Sequence, residues 1–183
     1  QRSLETKSYE QLAREEADSR ERYVEETVLE TDLALMLPDH YISDIAERIA
    51  LYRELDEMAD EEGLQAYEER LVDRFGPLPQ EAEDLLETIR LRWMAQVVGF
   101  GKLVLKGGKL IGVFHDEEGS GYYKGVRFQR VLDYMQRNTK GVQMYQRNGS
   151  LRLRVEPVPT LPVAMDILRH LSGSTARPVA NPG

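Results

Sequence analysis

The run His115-Asp116-Glu117-Glu118 puts one imidazole and three carboxylates side by side, a donor set that could hold a divalent cation. It follows a strand pattern and precedes Gly119-Ser120-Gly121, so it reads equally as a solvated loop tip, and a hydrolase would rest on this cluster alone. Glu15-Glu16, Asp60-Glu61-Glu62 and Glu68-Glu69 are paired carboxylates, but acid–base catalysis needs an apolar wall that raises one pKa, and these lie in polar runs that read as helix surface. Ser43, Ser120 and Ser150 have no base near them in sequence to activate a hydroxyl. His40, His115 and His170 are isolated, and no His-Glu-x-x-His occurs. Gly119-Ser120-Gly121 lacks the helix start and Lys of a phosphate cradle. With no cysteine there is no disulfide, thiol nucleophile or Cys-bound metal, which fits a reducing cytoplasm.

Charge is distributed unevenly. Residues 1–90 carry 26 acidic and 10 basic side chains, a net of −16, whereas residues 91–183 carry 6 acidic and 14 basic, a net of +8. Long helices with solvated Glu would produce such a split, and so would two halves that face oppositely charged partners. In the second half Lys102, Lys106, Lys109, Lys124, Arg127, Arg130, Arg137, Lys140, Arg147, Arg152 and Arg154 accompany Tyr122, Tyr123, Tyr134 and Tyr145. A basic sheet face with aromatics could bind nucleic acid, although Arg on an exposed strand face also guards against strand aggregation.

The elements that would position these residues can be read from periodicity. Tyr9 to Glu25 predicts a helix with sparse apolar positions, and Thr27 to Leu33 a short extended segment. A break over Leu35 to Asp39 follows, and Ser43 is the expected cap of the next helix. Ile45, Ile49, Tyr52, Leu55 and Ala59 form one apolar stripe, Gly63 interrupts, and Leu64, Tyr67, Leu71 and Phe75 form a second. Gly76 ends that helix in a left-handed conformation, and Pro79 suits the first turn of a third, with Ala82, Leu85, Leu86, Ile89 and Trp93 on one face and Gly99-Phe100-Gly101 as its stop. Two hairpins follow, one turning at Gly107-Gly108 and the other at Asn148-Gly149. Phe128 to Met135 predicts a helix between them, and a helix capped by Thr160 closes the series before a loose tail. The expectation is α+β: a leading helix, a three-helix segment, then ββαββα with an antiparallel sheet covered by helices.

Glu69-Arg70-Leu71-Val72-Asp73-Arg74-Phe75-Gly76-Pro77-Leu78-Pro79 belongs to an ordered series with Glu30 to Ile42, Arg48 to Tyr52, Leu85-Leu86, Ile89 to Arg92 and Gly99. On these residues the chain, from about Thr27 to Leu171, resembles the C-terminal (TRCF) domain of bacterial transcription-repair coupling factors. The resemblance implies a linker helix at 1–26 leading out of an upstream translocase motor, a regulatory domain at 27–172 and a flexible tail at 173–183. It implies a cytoplasmic bacterial protein whose parent is an ATP-driven DNA translocase that removes stalled RNA polymerase and recruits UvrA. The fragment itself would be no enzyme and hold no cofactor, ATP being bound by the motor. Its role would be a latch that docks on the UvrB-like N-terminal module, hides the UvrA-binding surface and restrains the motor. Acidic side chains just before the Arg-Phe-Gly turn make that contact in the family. Asp73 matches one such position. The position three residues earlier is acidic in relatives and is Arg70 here, with Glu69 about 100° round the helix and Arg74 beside the turn.

Overall fold

The computed structural model describes residues 26–115 and 121–173. The expected leading helix, the Asp116–Ser120 part of the loop and the tail beyond Gly173 lie outside the described residues. Two compact units emerge, Asp32–Leu91 and a second built from the residues before and after it.

The first unit holds helices α1 (Ile45–Asp56), α2 (Glu61–Phe75) and the greater part of α3 (Gln80–Val98). Its core is Leu55, Leu64, Tyr67, Leu71, Ala82, Leu86, Ile89 and Leu91. The segment before α1, expected only as a break, contributes Leu37 and Ile42 to that core, where they are 2% and 0% exposed. It is tied down by the Leu37 amide, which donates to the Tyr52 hydroxyl at 2.7 Å. Three local expectations are corrected. Asp44, not Ser43, caps α1, because its carboxylate accepts from the Glu47 amide at 2.9 Å. Gly63 does not break the chain. Asp60 caps α2 by accepting from the Gly63 amide at 2.7 Å, so Gly63 lies in the first turn. Ile45 and Ile49 do not continue the buried stripe of Leu55, being 64% and 46% exposed.

The second unit is a five-stranded sheet in the order β1-β2-β3-β5-β4, with β1 (Val28–Thr31), β2 (Phe100–Lys106), β3 (Lys109–Phe114), β4 (Val142–Arg147) and β5 (Ser150–Val155). Both hairpins form with the expected two-residue turns, Lys106 pairing with Lys109 and Arg147 with Ser150. The α+β expectation holds, but the sheet is mixed rather than antiparallel. The extended segment at Thr27 becomes β1, which lies parallel to β2 and is pinned where the Thr27 hydroxyl donates to the Phe100 carbonyl at 2.7 Å. Leu103, Leu105, Leu110, Phe114, Leu153 and Val155 form the buried face. Helices α4 (Val126–Arg137) and α5 (Leu161–Ser172) pack on each other, and the Phe128 ring of α4 meets Phe114 edge-on at 5.7 Å. Thr160 caps α5 as expected. Gly112 is required by close approach, since a Cβ there would sit 2.4 Å from the buried Phe100 ring.

Candidate docking site

Helix α2 buries Leu64, Tyr67 and Leu71 and half-buries Phe75 before the chain turns at Gly76. Gly76 has φ 89° and ψ −170°, a positive-φ extended conformation rather than the left-handed helical one expected, and one that glycine alone adopts without strain. The turn is bolted from outside the helix. The Tyr41 hydroxyl donates to the Gly76 carbonyl at 2.6 Å and lies 3.2 Å from that of Leu71. Its ring sits 5.7 Å from that of Phe75. Burial raises the pKa of Tyr41, so the phenol stays a neutral donor.

Helices α1 and α2 run antiparallel, joined by two ion pairs. Arg74 pairs with Glu47 near the start of α1, and Arg70 with Glu54 two turns further along. The Arg74 guanidinium also lies 5.1 Å from the centre of the Phe75 ring, and that of Arg70 lies 5.7 Å from the centre of the Tyr67 ring. Tyr67 closes the gap between the helices by donating to the Leu51 carbonyl at 3.0 Å, and burial first among several causes drives its pKa well up. A groove of about 300 Å³ results, with a floor of Leu51, Tyr67, Leu71 and Phe75 and a rim of Arg70, Asp73 and Arg74. Asp73 is exposed and, among the described residues, has neither a hydrogen bond nor an ion pair.

A second ionic node joins the start of α2 to α3. The Arg90 Nε donates to both Glu61 carboxylate oxygens at 2.9 Å, and Glu87 and Glu68 lie against the same guanidinium. Burial opposes the Arg90 charge, but the bond to Glu61 and the charges of Glu87 and Glu61 outweigh it and raise its pKa. Among the described residues no group of three or more His, Asp or Glu side chains could hold a metal ion. No helix there is long and apolar enough to cross a membrane.

The family model described as the TRCF domain matches residues 31–124, slightly more than half of the chain. The chain belongs to the TRCF domain family. The transcription-repair-coupling factor of Escherichia coli (strain K12) is 37% identical over 79 residues, 43% of this chain and 7% of that protein. That of Rickettsia typhi is 38% identical over 60 residues, 33% of this chain and 5% of that protein. The aligned part of the chain is thus a small fraction of either relative's length. A crystal structure of the C-terminal domain of transcription-repair coupling factor superposes with a TM-score of 0.62 at 19% identity, covering 82% of this chain and 96% of that one, which establishes a shared fold.

Within this TRCF domain, Arg70, Asp73 and Arg74 come together on one groove, and Glu69, though exposed, is not among its lining residues. The apolar floor and the partners Glu47 and Glu54 were not expected from sequence. The available signal was two glutamates seven residues apart on α1, matching two arginines four apart on α2. The aromatic expectation for the second half needs correction, because Tyr122 is 2% exposed and its hydroxyl bonds the Val98 carbonyl. Tyr122 therefore cannot stack on a ligand, whereas Tyr145 remains half-exposed on the sheet.

Proposed function

We propose that this chain is a non-catalytic regulatory domain of a transcription-repair coupling factor, working as an autoinhibitory latch. The α1–α2 groove docks on the UvrB-like N-terminal module of the same protein. Docking masks the surface that UvrA would bind and restrains the ATP-driven DNA translocase motor until stalled RNA polymerase is engaged. The protein works in the bacterial cytoplasm, and the ATP belongs to the motor.

The observation that carries this reading is the state of Asp73. Among the described residues its carboxylate stands unmatched on the rim of an apolar groove, beside two arginines that already have acidic partners. A charge so placed is available to a cation across an interface, and its main contributions there are register and on-rate. Arg70, a position where the resemblance implies an acid, is committed to Glu54, so in this chain Asp73 bears the acidic role at the groove. The family match spans this entire groove.

Calorimetric titration of the chain against the UvrB-like module tests it. Asp73→Lys should weaken binding at least about tenfold, because a like-charge contact replaces an opposite one. In the full-length protein the same substitution should raise basal ATPase. No binding by the native chain, or equal binding by native and Asp73→Lys chains, would refute the latch.

A further inference from the structure

The sheet has a second face, turned away from its apolar core. The strand register places Lys102, Val113, Arg152 and Tyr145 in one row across it, and Val104, Ile111, Arg154 and Gln143 in the next. Lys106 and Lys109 close the first hairpin on this face, and Arg147 lies beyond Tyr145 on β4. Six cations therefore share one surface with an aliphatic middle.

Two carboxylates meet them, each already divided between two cations. Glu30 lies 2.8 Å from the Lys102 ammonium and 3.7 Å from that of Lys106. Glu156 lies 3.8 Å from Lys109 and 3.9 Å from Arg154. Arg147 and Arg152 have no ion pair among the described residues, and the Arg152 Nε is buried without a hydrogen-bond partner. The Arg154 guanidinium, which also donates to the Gln143 side-chain carbonyl, sits 5.6 Å from the centre of the Tyr145 ring, an aromatic platform beside Arg152 and Arg147.

We propose that this open sheet face binds single-stranded nucleic acid, with Arg152, Arg154 and Arg147 on the phosphates and a base stacked at Tyr145. A single strand can lay bases over the half-buried Val104, Ile111 and Val113, whereas a duplex turns its bases inward and presents phosphate and sugar. Alternate residues along β5 are spaced by about 6.6 Å, so Arg152 and Arg154 form a short ladder that a flexible backbone can follow without sequence readout. The site shares no residue with the docking groove, and β4 and β5 lie outside the residues that the family model matches.

The test is fluorescence anisotropy of the full chain with a fluorescein-labelled oligothymidylate of about 20 nucleotides, long enough to cross such a face. Binding should weaken about 20-fold between 50 and 200 mM salt if about three phosphates are neutralised. The Arg152→Ala/Arg154→Ala double variant should lose at least about tenfold. Tyr145→Ala should lose at least about fivefold. Arg53→Ala, which removes an exposed cation from α1, should bind as the native chain does. If circular dichroism shows the double variant unfolded, Arg147→Gln, at an exposed position on β4, carries the same comparison. The proposal is overturned by absence of binding at low salt, by equal loss in Arg53→Ala, or by equal affinity for a duplex of the same length. It is also overturned if polyglutamate competes as well as unlabelled oligothymidylate, since the face would then suit an acidic protein.

Discussion

The α1–α2 groove and the open sheet face use charge in opposite ways. Around the helices Arg70, Arg74 and Arg90 are each held by glutamates, and Asp73 is left without a partner among the described residues. On the sheet Glu30 and Glu156 are each shared between two cations, and Arg147 and Arg152 are left over among the described residues. The net charges of the two halves give only a sign. What a surface offers a partner is the charge that its own neighbours have not already matched.

The two surfaces also differ in what holds them flat. The sheet face rests on the backbone ladder and on close packing beneath it, including that of Gly112 with the Phe100 ring. Breaking that contact should have the largest effect. A Cβ at position 112 would stand 2.4 Å from ring carbons that are walled in on all sides, so Phe100 must move. Gly112→Ala should therefore destabilise the protein by about 2–3 kcal/mol, the range of overpacked cores, read as a lower urea midpoint. An unchanged midpoint would show that the sheet absorbs the displacement of Phe100.

The groove instead depends on a side-chain bolt. Tyr41→Phe keeps the ring against Phe75 and removes only the hydroxyl that reaches the Gly76 carbonyl. The loss should be about 1–2 kcal/mol, smaller than for Gly112→Ala because one part-buried carbonyl loses a bond and no packing is disturbed. The turn after Asp73 would loosen, so binding to the UvrB-like module should weaken as well. A stability loss with unchanged docking would separate the Gly76 turn from the groove.

Much of this arrangement is legible in the chain because it is local. Gly107-Gly108 and Asn148-Gly149 specify two-residue hairpins, and Thr160 followed by Pro162 specifies a helix start. The misreadings are non-local. Thr27 bonds Phe100 across 73 residues, and no periodicity in a four-residue strand announces a parallel partner so far away. Ile45 and Ile49 have helical spacing, but spacing does not say whether a neighbour covers that face. At the groove, Asp73 and Arg70 stand out as charged letters beside a glycine turn. Leu51 joins them because α1 packs antiparallel to α2, where the Tyr67 hydroxyl donates to its carbonyl.

The smallest expected effect gives the sharpest test of the opposition between the surfaces. Hydrogen bonding and charge from Lys102, with a smaller contribution from Lys106, hold the Glu30 carboxyl below its usual pKa. A depressed folded-state pKa means that its contribution is present above the unfolded value and is lost as pH falls through the folded one. The Glu30 side chain is 43% exposed, so solvent screens much of that contribution, and Glu30→Gln should scarcely move the urea midpoint at neutral pH. The variant should nevertheless flatten the decline in stability on the acid side. If matched charge is charge withheld from a partner, releasing Lys102 and Lys106 should also tighten oligothymidylate binding by a few-fold at low salt, with the gain disappearing as salt rises. The helical surface should respond in the reverse sense to the corresponding change. Glu54→Gln frees Arg70 beside Asp73 and should weaken docking on a cationic partner. Gains or losses of the same sign at both surfaces would mean that availability of charge does not distinguish them.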